Sequence, residues 1–406
     1  MLTNYSIQAG EKRPAASTVQ PTIKKMSTHT TEFHAGRFPR LTTLLAFLAA
    51  TPFVWSQHEF DETADERGPI RISGNENAFG YSPAAMMAMM EALGDINRYA
   101  RDEAAAFVSA ISAKERVPSD YIITTPGSGP VLVMTALAYA APGKNMITVT
   151  PGYLQLSRAF EQAGGEVKSI PLTDDLAHDL DAMKAAIDDD TVLIYICNPN
   201  NPTGTIVEPD ELRAFIRSVP REILVFVDEA YLELADGGLE GNSMIGMVRQ
   251  GRNVLVSRTF SKVYGMAGLR AGYGIAPPEV LEKLRPFHLG GPNLLACVGA
   301  TAALGDEAAF AENVERYRAT REMVTDALDD MEVKYADAQG SFVFIHTGIP
   351  IERFQARMEE RNILVGRPFP PMLDWCRVSI GTEEEMMTFL RTFREIMTEE
   401  GRLAAR

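Results

Sequence analysis

The sequence contains few cysteines and histidines, and neither type is arranged as a covalent or metal-binding framework. Cys197, Cys297 and Cys376 lie far apart and form no CxxC pair. Three scattered thiols exclude a disulfide scaffold and leave the redox compartment undecided. The six histidines form no HExxH motif or other ligand spacing. We therefore expect no structural or catalytic metal.

Positive charge is also scarce. The chain of 406 residues has 39 lysines and arginines against 54 aspartates and glutamates, a net charge of −15. This acidic balance argues against a nucleic-acid partner and for a soluble protein. The hydrophobic share of 46% and the charged share of 23% are ordinary for a globular protein. The length allows two domains with a large core.

Residues 1–65 lack the pattern of a folded domain, and we interpret them as a signal or arm followed by a linker. Within them, Arg37 and Arg40 precede a short apolar run that ends in small residues. This order is similar to a secretory signal over residues 37–56, and the run is too short for a comfortable membrane span. No twin-arginine pair is present there. Two interpretations stay open: export, for example to a periplasm, or an arm that packs on a partner subunit of a cytoplasmic protein.

Short apolar segments alternate with helical ones from residue 121 onward. The predicted strands are 121–124, 146–150, 166–170, 192–197, 224–227 and 253–256. Nearly all-apolar strands separated by helices predict an α/β fold with a mainly parallel sheet covered on both faces. Ligands of such sheets bind beyond the carboxyl ends of the strands.

Three of these strands end in polar segments. The segments are NPNNPTG at 198–204, DEAY at 228–231 and SRTFSK at 257–262. Each alone could be an ordinary turn or a helix cap. Three in this order, each after a predicted core strand, indicate one shared site.

Lys262 is the residue best suited to covalent chemistry. It follows a buried strand, where poor solvation lowers the pKa of an amine and frees it to form a Schiff base. Thr259, Ser261 and Arg270 are residue types that bind a phosphate. The turn at 127–129 precedes a predicted helix and offers a second anion site, because free amides and the helix dipole meet there.

The chain resembles the fold-type I pyridoxal-phosphate aminotransferases, and within them the histidinol-phosphate aminotransferase group. The resemblance covers roughly residues 70–400 and implies two domains. The large domain, 97–289, would hold a mainly parallel seven-stranded sheet, and a smaller α+β domain would comprise 66–96 and 290–406. The motifs that carry it are NEN at 75–77, NRY at 97–99, PGY at 151–153, NPNNPTG, DEAY, RTFSK at 258–262, AGLRAGY at 267–273 and RVSIG at 377–381.

The resemblance also implies a role for each cofactor residue. Lys262 would hold pyridoxal 5'-phosphate as an internal aldimine and move the substrate proton, while Asp228 would keep the pyridine nitrogen protonated. Tyr231 and Asn201 would bond the phenolic oxygen of the ring, and Tyr153 would stack on its face. The residues expected to bind the phosphate are Ser128, Gly129, Thr259, Ser261, Arg270 and, from the other subunit of a homodimer, Tyr99.

Asn77, Arg367 and Arg377 would bind the substrate, with Arg377 taking its carboxylate through a two-point fork. The implied reaction moves an amino group between an amino donor, either histidinol phosphate or an aromatic amino acid, and the 2-oxo acid 2-oxoglutarate. Two other functions stay open: decarboxylation of a phosphorylated amino acid on the same cofactor, and cofactor binding without catalysis.

The chain departs from the family pattern at the phosphate turn. Ser128 is followed by Gly129 and Pro130, where typical members of the group have acidic residues. The departure leaves the cofactor residues intact and bears on the substrate.

Overall fold

The computed structural model of the chain describes residues 68–404. The predicted signal-like segment 37–56 lies outside the described residues, as does the rest of 1–65, so the location of the protein stays a prediction. Within the described range no single helix is long and apolar enough to cross a membrane. The division into 97–289 and 66–96 with 290–406 also stays a prediction.

The strands of the described range include the six that the sequence predicts, with bounds shifted by a few residues. In chain order they are β1 Ile70–Arg71, β2 Ile122–Thr125, β3 Asn145–Thr150, β4 Glu166–Pro171, β5 Thr191–Cys197, β6 Leu224–Asp228, β7 Val254–Thr259, β8 Gly272–Ile275, β9 Phe342–His346, β10 Ile363–Leu364 and β11 Trp375–Ser379.

Helices separate most of these strands. In chain order they are α1 Pro83–Ala92, α2 Asp102–Glu115, α3 Gly129–Tyr139, α4 Gln155–Gln162, α5 Leu180–Ala185, α6 Pro209–Ser218, α7 Gly238–Asn242, α8 Ile245–Arg249, α9 Pro278–Leu284, α10 Leu294–Gly305, α11 Glu307–Asp330, α12 Ile351–Glu359 and α13 Glu383–Glu399.

Seven strands form the central sheet, in the order β2-β8-β7-β6-β5-β3-β4. The pairs from β7 to β4 are all parallel, whereas β8 runs antiparallel to both of its neighbours. The predicted α/β fold with a mainly parallel sheet is therefore confirmed. The search for apolar segments does not predict strand β8, because two of its four residues, Gly272 and Gly274, are glycines.

Two strands in the middle of the sheet are fully buried. Every residue of β6 and β7 is buried, as expected for parallel strands covered on both faces. Their register aligns Cys197 with Asp228 and Asp228 with Ser257. This alignment brings the polar segments that follow three separate strands to one edge of the sheet.

Two small sheets complete the described fold. Strands β9 and β11 pair antiparallel, and β1 pairs parallel with β10. Arg377 lies in β11 opposite Phe344 of β9. The backbone amide of Ser379 bonds the carbonyl of Ile72, which links β11 to the segment after β1. These two segments border the site described next.

Candidate active site

A cavity of about 740 Å³ lies at the carboxyl ends of the central strands. This volume is in the usual range for a small-molecule site. Twelve of the predicted site residues line it, so the structure brings together segments that are far apart in the sequence. They are Ser128, Gly129, Tyr153, Asn201, Asp228, Tyr231, Thr259, Ser261, Lys262, Arg270, Arg367 and Arg377.

Lys262 follows β7 and turns its amine into this cavity. Its Nζ donates a hydrogen bond to the backbone oxygen of Asn75, at 3.0 Å. Burial lowers the pKa of Lys262 to about 8, and the positive charges of Arg377 and Arg270 add to the effect. An amine with this pKa is neutral in a far larger share of molecules near neutral pH than an ordinary lysine, and this neutral form is available as a nucleophile.

Asp228 ends β6 and is 2% exposed. Its Oδ1 accepts a hydrogen bond from Ser257 at 2.8 Å, and its Oδ2 accepts one from the Tyr195 hydroxyl at 3.1 Å. Burial raises its pKa to about 6, although both hydrogen bonds oppose the shift. A buried carboxylate held from two sides is placed to face a cationic ring nitrogen, which would complete its pairing.

The Tyr231 hydroxyl accepts hydrogen bonds from the side-chain amides of Asn75 and Asn201, each at 3.1 Å. Its own proton is therefore available to a ligand oxygen. Burial raises the pKa of Tyr231, so the phenol stays protonated. The ring packs edge-on against Phe342, with centroids 5.0 Å apart, and this contact fixes its orientation.

The residues predicted to bind a phosphate lie around the turn at 127–129. Arg270 has a φ of 64°, a left-handed conformation that non-glycine residues adopt only when the surroundings impose it. Its Nη1 bonds Ser261 Oγ at 3.2 Å, and its Nη2 bonds the backbone oxygen of Pro126 at 3.4 Å. Gly272 can carry no side chain, because a Cβ there would meet the backbone of Gly127 and Ser128. The turn at 127–129 thus lies directly against β8, beside the Arg270 guanidinium.

Arg377 is 7% exposed. Its Nη1 bonds Asn201 Oδ1 at 2.8 Å, and its Nη2 bonds the Ser73 oxygen at 2.6 Å. Its Nε is buried and has no hydrogen-bond partner among the described residues. An unpaired buried donor is costly. The residue also lines the cavity, where its positive charge is suited to an anionic ligand.

Arg367 lies at the exposed rim and bonds the backbone oxygen of Pro368. Its Cζ is 4.2 Å from the centroid of the Phe369 ring, and the Cζ of Arg377 is 5.0 Å from the same centroid. Phe369 is buried. Both guanidinium groups are therefore held against one aromatic side chain at the mouth of the cavity.

The structure does not bring Asn77 or Tyr99 into this cavity lining. The amide of Asn77 bonds the backbone oxygens of Lys262 and Val263, each at 3.0 Å. Asn77 therefore fixes the loop that carries the lysine, and its contact with substrate stays a prediction. Tyr99 is 93% exposed, and its contact with the cofactor of another subunit stays a prediction.

Sequence reasoning missed three residues that hold the predicted ones. Asn75 bonds both Lys262 and Tyr231, whereas Tyr195 and Ser257 bond Asp228. Asn75 stands in a motif and has a φ of 53°, a conformation that asparagine tolerates. Tyr195 and Ser257 lie within strands, where only the register of the sheet reveals their partner.

Together these side chains fit pyridoxal phosphate. They offer an amine with a lowered pKa, a buried acid for a ring nitrogen, a phenol for a ring oxygen and a turn with an arginine for a phosphate. Among the described residues no group of three or more histidine, cysteine or acidic side chains could hold a metal ion.

Comparison with known proteins gives consistent matches. The family model of aminotransferase class I and II matches residues 68–393. The chain is 35% identical over 360 residues to histidinol-phosphate aminotransferase of Moorella thermoacetica, covering 87% of this chain and 92% of that protein. It is 37% identical over 325 residues to histidinol-phosphate aminotransferase 2 of Ralstonia nicotianae, covering 78% and 85%.

The fold is also similar to solved structures. One is histidinol-phosphate aminotransferase from Sinorhizobium meliloti in complex with pyridoxal-5'-phosphate. The TM-score is 0.76 at 25% identity, and the match covers 82% of this chain and 92% of that chain.

Proposed function

We propose, from the premise that the chain belongs to the aminotransferase class I and II family, that it transfers the amino group of histidinol phosphate to 2-oxoglutarate. The chain is a fold-type I aminotransferase that depends on pyridoxal phosphate. The observation that carries the proposal is the placement of Lys262, Asp228 and Arg377 around one cavity. An amine, an acid and a substrate guanidinium are all needed for amino transfer, whereas cofactor binding alone requires no substrate arginine.

Each residue of the site would have a separate role in the reaction. Pyridoxal phosphate, when bound, supplies an electron-accepting ring and the carbon that carries the amino group. Lys262 Nζ would anchor the cofactor and then, once free, take up and return the substrate proton. Asp228 would hold a proton on the ring nitrogen, and Tyr231 would donate to the ring oxygen. The turn at 127–129 with Arg270 would bind the phosphate.

The two arginines support a pair of anionic substrates. Histidinol phosphate carries a phosphate and no carboxylate, whereas 2-oxoglutarate carries two carboxylates, so one site must bind both in turn. Arg377 is buried and lines the cavity, and Arg367 lies at its exposed rim. A fixed guanidinium and a more exposed one suit this demand. The names of the relatives support the same donor.

An aromatic amino acid is the second candidate donor. Tyr153 lines the cavity and would pack against an aromatic side chain. Decarboxylation of a phosphorylated amino acid and binding without catalysis have no comparable support, because the matching family and the named relatives are aminotransferases.

A homodimer is part of the proposal. Tyr99 is 93% exposed, and the segment before it also exposes large apolar side chains. Such a row on a single chain favours a protein partner. A second copy would cover it and bring Tyr99 to the phosphate of the facing site. The exposed apolar side chains are Met87 at 60%, Met90 at 60%, Leu93 at 51% and Ile96 at 62%.

A panel of amino donors tests the donor assignment. The purified protein, loaded with pyridoxal phosphate, is assayed for glutamate formed from 2-oxoglutarate with histidinol phosphate, phenylalanine, tyrosine, aspartate or histidinol. Histidinol phosphate should give the highest kcat/KM. A preference for histidinol over its phosphate would contradict the donor, and carbon dioxide release without glutamate would contradict amino transfer.

A further inference from the structure

Gly129 and Gln155 occupy one space in the cavity wall. A Cβ built on Gly129 would lie 3.0 Å from Nε2 and 3.1 Å from Oε1 of Gln155. These distances are shorter than ordinary van der Waals contacts, so the amide of Gln155 fills the place that a side chain at 129 would take. Both residues line the cavity.

The same amide holds the ring that borders it. The hydroxyl of Tyr153 donates a hydrogen bond to Oε1 of Gln155, at 2.9 Å. Tyr153 precedes α4 and Gln155 is the first residue of that helix. The tyrosine ring thus has a second point of attachment besides its own backbone, and its tilt is restricted.

The amide nitrogen of Gln155, Nε2, is free to donate a hydrogen bond. Among the described residues Gln155 Nε2 donates no hydrogen bond, whereas Oε1 accepts one from Tyr153. This donor lies beside the first residue of α3, whose free amides already favour an anion. It therefore adds a neutral donor to the turn at 127–129.

We propose that Gln155 is a positioning residue of the cofactor site, which holds Tyr153 through Oε1 and offers Nε2 to the phosphate, and that Gly129 lacks a side chain to make room for it. The inference rests on the proposed function, since it concerns the same cofactor. It also accounts for the departure at the phosphate turn, because any side chain after Ser128 would meet the amide of Gln155.

Three substitutions distinguish the role of the acceptor Oε1 from that of the donor Nε2. Gln155→Leu removes both atoms. Gln155→Glu keeps an acceptor for Tyr153 and replaces the free donor with a negative charge. Gly129→Ala leaves the backbone unstrained, because Gly129 has no positive φ, and only pushes the amide. Gln162→Leu at the exposed end of α4 and Gly241→Ala, whose Cβ would meet nothing within 4 Å, are the matched controls.

Two measurements on cofactor-loaded and cofactor-free protein report the roles. The dissociation constant for pyridoxal phosphate measures the donor, and the induced circular dichroism of the visible cofactor band measures the orientation held by Tyr153. The Tm of the cofactor-free protein monitors folding. Gln155→Leu should raise the dissociation constant by about tenfold, as expected for a lost hydrogen bond to a charged group, and change the dichroism. Gln155→Glu should raise the constant and leave the dichroism close to that of the wild type.

The double variant Gly129→Ala with Gln155→Ala decides the matter. If the two residues share one space, the loss caused by Gly129→Ala disappears once Gln155 is truncated, so the effects are not additive. Additive losses, or wild-type affinity and dichroism in Gln155→Leu, would overturn this inference while the wild type still binds the cofactor. A wild-type protein that binds no pyridoxal phosphate would overturn the proposed function together with it.

Discussion

Lys262 and Asn75 are joined by a hydrogen bond of 3.0 Å from the lysine amine to the asparagine backbone oxygen. The bond links the segment after β7 to the segment after β1. Among the described residues this oxygen is the only hydrogen-bond acceptor of Nζ, and no carboxylate pairs with the amine. A buried amine with a neutral partner holds its extra proton less tightly than an amine in water does.

The first prediction is that the free energy of unfolding at pH 7 is larger for the cofactor-free Lys262→Met variant than for the cofactor-free wild type. The pKa of Lys262 falls from 10.5 to about 8 on folding. The protonated amine therefore costs the native state about 3 kcal/mol below pH 8. The cost declines as pH rises from 8 to 10.5 and is absent above that. Urea unfolding across this range measures it.

The exposed Lys184→Met controls for the loss of a lysine. Its difference from the wild type at each pH gives the effect of losing an exposed lysine. If the advantage of Lys262→Met is equally independent of pH, the amine is not held with a lowered pKa and the account of its reactivity fails.

Asp228→Asn should keep the cofactor and lose the reaction. The amide preserves the shape held by Ser257 and Tyr195 and removes the charge that keeps the ring nitrogen protonated. We expect the cofactor dissociation constant to change little and kcat to fall by about 10²–10³-fold, as when a preorganised charge is removed. The rate of α-proton exchange into deuterated water measures the affected step. Wild-type exchange in this variant would mean that another acid faces the ring.

The predicted site residues that line the cavity include three in motifs at the ends of apolar strands. Asp228 ends β6, and Lys262 and Asn201 follow β7 and β5; parallel strands bring such ends together. A short stretch of sequence is sufficient to predict such a site residue, because the apolar strand and the polar segment at its end are adjacent in the chain.

The residues that sequence reasoning missed depend on long-range geometry. Asn75 bonds Tyr231, which is 156 positions away, and Tyr195 bonds Asp228 across a strand pair. Their partners follow from register and loop packing, which a single sequence does not specify. The amide of Asn77 faces the backbone of the lysine loop for the same reason. Gln155 has a role only because Gly129 leaves its place empty.

The two arginines should differ in their effect on 2-oxoglutarate. Arg377 is buried and bonds Asn201 and Ser73 with two different nitrogens, a geometry that lysine cannot reproduce. Arg377→Lys should raise the KM for 2-oxoglutarate by about 10–100-fold, the range for a lost charged hydrogen bond. Arg367→Lys should raise it only a few-fold, because its side chain is exposed. Equal small effects would place the carboxylate elsewhere.

We expect Tyr99 to act across the proposed dimer. Mixing Tyr99→Phe with Lys262→Ala subunits gives hybrid dimers in which one site has both an intact Lys262 and an intact Tyr99, provided that Tyr99 belongs to the facing site. Such hybrids should exceed the activity of either parent. Activity no higher than the average of the two parents would mean that Tyr99 serves its own subunit or no site at all.

The central claim is that the cavity around Lys262 moves an amino group from histidinol phosphate to 2-oxoglutarate, and a single-turnover measurement tests it most directly. Cofactor-loaded protein is mixed with histidinol phosphate alone, and the visible cofactor band is followed before and after 2-oxoglutarate is added. The account predicts that the band disappears with the donor, returns with the acceptor and yields one glutamate per site, and that Lys262→Ala shows none of this within the wild-type time course. An unchanged band in the wild type, or glutamate at the wild-type rate from Lys262→Ala, would contradict it.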